Sequence, residues 1–127
     1  MTEKYITFET AKLAKLKGFN WVTNYYYDTT GDLCSQVQKI DWNQSKDGIY
    51  SRPTQDLLKK WLREVKNIHV NPVPYNETAD RSNEVTGYYV GEIMTTDGKM
   101  VSPGDGNYST YEEALEKGLQ IGLNHID

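Results

Sequence analysis

Apolar residues return at helical spacing in three stretches of this chain and alternate with polar ones in several segments between them. The first stretch is "TFETAKLAKLKGF". Thr7 is placed to cap a helix, Glu9 suits the positive end of its dipole, and Gly18 suits the residue just past its end. The apolar positions Phe8, Ala11, Leu13, Ala14 and Leu16 spread more widely than one stripe, so the pattern leaves the buried face open. "FNWVTNYYYD" is aromatic and β-branched and predicts a strand. "DTTGD" predicts a turn, "LCSQVQKIDW" a second and less regular strand, and "NQSKDGIYSRP" a polar loop punctuated by Asp47 and Gly48.

"PTQDLLKKWLREVKNIHV" predicts a helix running into a strand. Pro53 suits the first helical turn, with Thr54 an alternative cap. Leu57, Leu58, Trp61, Leu62 and Val65 form a broad apolar stripe, while Lys59, Lys60, Arg63 and Lys66 lie largely away from it. The helix is predicted to end near Asn67. Ile68 and Val70 then face one side of a strand and His69 the other, and Pro72 and Pro74 keep that strand short or at an edge.

"NETADRSNE" reads as a polar loop and "VTGYYVGEIMTTDGKMVS" as a hairpin with a two-residue turn at Asp97 and Gly98. "PGDGNYS" reads as a further loop. In the last helix Thr110 and Glu113 match a capping box, as do Ser109 and Glu112 one register earlier. Ala114, Leu115, Leu119, Leu123 and Ile126 make its apolar stripe. Gly118 and Gly122 sit on that stripe, where each costs about 1 kcal/mol relative to Ala, a cost tolerated where another element must approach closely. The order α-β-β-α-β-β-β-α implies an α+β fold: a mostly antiparallel sheet with helices packed on one face, in a single domain over residues 1–127.

Composition narrows the setting. A chain of 127 residues with 25% charged and 37% hydrophobic residues can bury a core without disulfides or metal. No apolar run is long enough to span a membrane, and "MTEKYITFET" lacks the apolar region of a secretory signal. Cys34 is the one cysteine, which fits a reducing compartment, and the expected location is cytoplasmic; the sequons at Asn76 and Asn107 then read as chance matches. The net charge of −4 is unevenly spread: residues 52–66 are basic, while residues 76–127 hold ten acidic groups against three basic. An acidic C-terminal half argues against a general nucleic-acid binder but leaves room for a local basic patch.

Catalytic and metal chemistries find little support. Cys34, His69 and His125 supply nucleophile and base types without a nucleophile signature. Neither CxxC nor HExxH occurs. Asp105, Asn107, Ser109 and Glu116 take calcium-loop positions, but Thr110 stands where that loop needs Gly, and the capping box accounts for the same residues. "SPGDGNYST" lacks the lysine of a phosphate loop. Aromatic display remains. Ten tyrosines and three tryptophans are many for this length, and a strand over "NWVTNYYY" would put Trp21, Tyr25 and Tyr27 on one side and Tyr26 on the other. Tyr88 and Tyr89 diverge likewise. Such a sheet face could anchor a protein partner, stack on unpaired bases, or merely bridge core and solvent.

The stretches "ITFETAKLAKLKGF", "PTQDLLKKWLREVKNIHV" and "STYEEALEKGLQIGL" together resemble a family of small uncharacterised proteins found in Bacteroidetes genomes and their phages or prophages. The resemblance implies a setting and no mechanism. Leu16 departs from the pattern, which has a charged residue there. The resulting expectation is a non-enzymatic binding or accessory protein, without metal or cofactor, engaging a protein partner. Its candidate contact residues are Tyr25, Tyr27, Tyr88, Lys59, Lys60 and Arg63. The alternative is single-stranded nucleic-acid binding through the Tyr-rich sheet face and the basic helix fringe.

Overall fold

A computed structural model describes residues 4–45, 48–75, 87–90, 93–102 and 105–126. Its elements run α1 (Phe8–Leu16), β1 (Thr23–Tyr27), β2 (Leu33–Ile40), the single-turn α2 (Trp42–Ser45), β3 (Tyr50–Ser51), α3 (Gln55–Val65), β4 (Ile68–His69), β5 (Pro72–Tyr75), β6 (Gly87–Val90), β7 (Ile93–Thr95), β8 (Met100–Ser102), β9 (Asp105–Tyr108) and α4 (Tyr111–His125). The class is α+β with antiparallel pairing, as the pattern predicts. The strands divide among three small sheets, ordered β2-β1-β3, β4-β7-β8 and β5-β6-β9.

The helix ends follow the local signals. Thr7 caps α1 by accepting from the Thr10 amide. At the other end Phe19 N–H donates to Ala14 and Gly18 N–H to Lys15, the two bonds of a Schellman motif, with Gly18 at φ +97°. This turn drives Phe19 into the core, edge-on to Trp61 at 5.3 Å. Thr54, rather than Pro53, begins α3: its hydroxyl accepts from Leu57 N–H, and Pro53 lies one residue outside. Asn67, just past the end of α3, adopts φ 60°, a conformation that Asn tolerates better than most residues. The first helix resolves its ambiguous face by burying Ala11 and Ala14 and leaving Leu16 78% exposed. Position 16 is thus a solvent position, where a charged residue would fit as well as leucine.

Several local expectations need correction. The predicted loop "NQSKDGIYSRP" contains most of α2 and the strand β3, and the hairpin expected over "VTGYYVGEIMTTDGKMVS" is formed by β7 and β8 alone, since β6 pairs with β5 and β9. Trp21 lies outside β1, and the predicted strand through Ile68 and Val70 is two: β4 pairs with β7, while β5, carrying Pro72 and Pro74, pairs with β6 at a sheet edge. Proline has no N–H to donate to a ladder, so an edge, where one side needs no donor, accommodates it. The hairpin turn spans three residues, not two. Gly98 N–H donates to Thr95 O, Thr95 N–H to Lys99 O, and Gly98 at φ +91° forms the bulge that closes such loops. Finally, Asp105–Tyr108 is strand β9, not loop, because it pairs with β6. The "NETADRSNE" loop lies outside the described residues.

Helix α4 organises the core. It packs on α1 and α3 and on strands β5, β6, β8 and β9, burying Ala114, Leu115, Gly118, Leu119, Gly122 and Leu123. A Cβ at Gly118 would stand 2.6 Å from Val70 Cγ1, and one at Gly122 would meet Val70, Ile68 and Leu62 at 3.3–3.4 Å. The two glycines therefore mark a close approach, in line with the sequence pattern. One turn nearer its start, Glu116 joins all three long helices. Its Oε2 accepts from Thr7 N–H and Oγ1 (3.0 Å each) and from Thr10 Oγ1, while Oε1 accepts from Gln55 Nε2 at 2.8 Å. Gln55, nearly fully buried, also donates to Glu112 O at 2.9 Å.

Gly118→Ala gains about 1 kcal/mol of helix propensity but overpacks against Val70, which costs about 1–3 kcal/mol. Urea unfolding should show a net loss for Gly118→Ala. The loss should shrink when Val70→Ala is added, a coupling that a double-mutant cycle measures.

Candidate functional site

Non-neighbouring segments meet beside β1. Tyr5 bridges to Thr54, Gln55 N–H donates to Lys4 O (2.8 Å) and Ile6 N–H to Pro53 O (3.2 Å), so the N-terminal segment runs along the lead into α3. Arg52 N–H donates to Tyr25 O at 2.9 Å, extending the β1–β3 pairing by one residue. Between these segments lies a groove of about 250 Å³, lined by Tyr5, Val22–Tyr25, Lys39 and Arg52–Thr54, with Leu57 at its α3 end.

Arg52 is the fixed centre of this groove. Its guanidinium lies 4.3 Å from the centre of the Tyr5 ring and 5.3 Å from that of Tyr27. Its Nε donates to the Tyr27 hydroxyl at 3.0 Å, and that hydroxyl donates onward to the buried Ile6 O at 2.7 Å. Tyr5 in turn meets Tyr25 edge-on at 5.1 Å. A cation held against aromatic faces gains about 0.5–2 kcal/mol per contact, and the planar fork loses little freedom when a ligand arrives. Among the described residues no carboxylate pairs with Arg52 or with the exposed Lys39, and no acid lines the groove. The apolar part comes from the Tyr25 ring, the half-buried Leu57 and Val22, which is 52% exposed.

The sequence-derived candidates separate into two groups. Tyr25 lines the groove and Tyr27, buried behind it, holds Arg52. Tyr88 belongs to β6, in another sheet, so the three tyrosines do not share one face. It sits edge-on to Tyr111 at 6.0 Å, and Tyr111 accepts from Lys59 Nζ at 3.3 Å. Lys59 and Arg63 line a small cleft of about 60 Å³ with His69, Val70 and Asn71. Arg63 and Lys60 both approach the Glu64 carboxylate, at 3.3 and 3.9 Å. Tyr26, on the far side of β1, packs its ring on Trp42 at 4.3 Å. Trp61 is wholly buried and serves the core. Arg52 precedes α3 and packs on aromatic rings, apart from the basic fringe of that helix.

Sequence reasoning missed Tyr5, Val22 and Lys39, which no local motif connects to Arg52. The one available signal was the string "YSRPT", which puts an arginine and a proline directly after β3.

Other concave regions carry different chemistry. A wider cavity of about 460 Å³ is lined by Lys4, Thr7, Gln55, Thr110, Glu112, Glu113 and Glu116. There the Glu116 and Gln55 side chains are already joined to Thr7, Thr10 and Glu112, so these polar groups hold helices together. The calcium-loop positions are dispersed: Asp105 and Asn107 lie in β9, and Glu116 is in that helix junction. Cys34 and His69 fall in different sheets. Asp28 closes the β1–β2 turn and its carboxylate accepts from Thr30 Oγ1 and N–H and from Asp32 N–H; the Thr30 bonds hold its pKa below the ordinary value. Asp41, ahead of α2, has its pKa raised by burial. No helix among the described residues is long and apolar enough to cross a membrane.

Removing the Tyr27 hydroxyl should strip Ile6 O and Arg52 Nε of their shared partner. Tyr27→Phe is expected to cost about 1–2 kcal/mol of unfolding free energy in denaturant titrations, since a buried acceptor is left unpaired.

Comparison of the chain with protein-family models, with curated proteins and with solved structures finds no match.

Proposed function

We propose that this chain is a non-enzymatic binding or accessory domain that engages a protein partner through the Tyr5–Tyr25–Arg52 groove. The observation that carries the reading is a guanidinium held in place by two tyrosines, with no carboxylate partner among the described residues, beside exposed apolar surface. Interfaces concentrate binding energy in Tyr and Arg side chains that are rigid before the partner arrives. The placement of Cys34 and His69 in separate sheets gives a nucleophilic mechanism no support. The lone cysteine fits a cytoplasmic setting, and the resemblance of three stretches to Bacteroidetes and phage proteins supports a phage or prophage origin.

Single-stranded nucleic acid fits this groove less well. Stacking needs an open ring face, yet Arg52 lies over Tyr5, Trp42 packs on Tyr26, and Tyr27 is buried.

The reading is tested by placing benzoylphenylalanine at Val22 and, as a control, at the exposed Leu16, followed by photolysis in lysate with and without nuclease. Protein adducts are expected from position 22 and not from position 16. They should survive nuclease and be competed by wild-type chain but not by Tyr25→Ala. Adducts to nucleic acid, or equal labelling from both positions, would contradict the proposal.

A further inference from the structure

Resting on that reading, we infer that the groove takes a peptide segment in which a side-chain carboxylate stands next to a large apolar side chain. The carboxylate is assigned to Arg52. Its Nε is committed to Tyr27, which turns the guanidinium into a fork of fixed orientation with its two terminal nitrogens left as donors. Two parallel donors match one carboxylate. Lys39 adds a second positive charge to the same lining, and no Asp or Glu of that lining opposes it. The charge of the groove is thus opposite to that of the chain as a whole, which carries −4. The apolar neighbour is assigned to the surface made by Val22, Leu57 and the Tyr25 ring.

The size of the charge favours a carboxylate peptide over a polyanion. Two cations release few counterions from a nucleic-acid strand, and the net charge of −4 disfavours a long anion more than a single carboxylate.

The experiment selects binders to the intact chain from a displayed random peptide library. Selected peptides are then synthesised with each Asp or Glu changed to Asn or Gln, or replaced by phosphoserine, and affinities are read by fluorescence anisotropy. The chain is used as wild type, Arg52→Lys, Arg52→Gln, Lys39→Gln and Tyr25→Ala, each checked for folding by thermal melting. The expected result is enrichment of an acidic residue beside an aromatic or aliphatic one. Neutralising that acid should weaken binding about tenfold, and Arg52→Lys should lose most of the same factor although it keeps the charge. Should Arg52 variants fail to fold, the exposed Lys39→Gln must still lower affinity for the acidic peptides and not for their neutral counterparts.

Peptides that lose affinity on Tyr25→Ala but show no acidic preference would overturn the carboxylate inference and leave partner binding standing. So would a preference for phosphoserine over Asp or Glu. Binding indifferent to Tyr25→Ala as well as to Arg52 and Lys39 would overturn the groove and the functional reading together. Recovery of no peptide, or displacement of peptides by oligothymidylate with a steep salt dependence, would also overturn the inference.

Discussion

Helix α4 reaches Val70 only because positions 118 and 122 carry no side chain. With that seat taken, Leu115, Leu119 and Leu123 are buried, and the three sheets and the other two long helices share one core. The same seat presents Glu116 to Thr7, Thr10 and Gln55. One carboxylate thus joins the start of α1 and the start of α3 to the second turn of α4. Hydrogen bonds to a charged acceptor are worth about 1.5–3 kcal/mol each, so several converging donors can hold both helix starts in register.

That junction has a consequence at a distance. Lys4 to Thr7 and Pro53 to Gln55 run side by side because both ends are tied there, and the Tyr5–Thr54 bridge and the Ile6–Pro53 bond lie between them. Tyr5 is thereby delivered to one side of Arg52, while β1 delivers Tyr27 to another. Two polar systems result, with different uses. The Glu116 junction is closed on itself. Among the described residues Arg52 commits its Nε and its backbone N–H to hydrogen bonds, leaving charge facing the groove.

Features coded within a few residues were legible in the sequence. Thr7 and Gly18 bracket α1, Thr110 opens α4, Asn67 closes α3, and the glycine pair of α4 reports a close neighbour before the neighbour is known. Burial of Trp61 followed from helical period alone. What escaped was non-local. A two-residue strand such as β3 has no period to detect, and its existence depends on pairing with β1. The sharing of strands among three sheets separated Tyr88 from Tyr25, although both sit in aromatic strands. The groove was invisible for the same reason: Tyr5, Val22, Lys39 and Arg52 meet only after the helix starts are joined.

The central claim is that Arg52 is held ready before any partner binds. The most direct measurement is the order parameter of its side-chain Nε–H in the free chain, with the exposed Arg63 as internal reference. The account predicts a value near that of rigid backbone, about 0.85, for Arg52 and one below roughly 0.6 for Arg63. Equal and low values for the two arginines would contradict it.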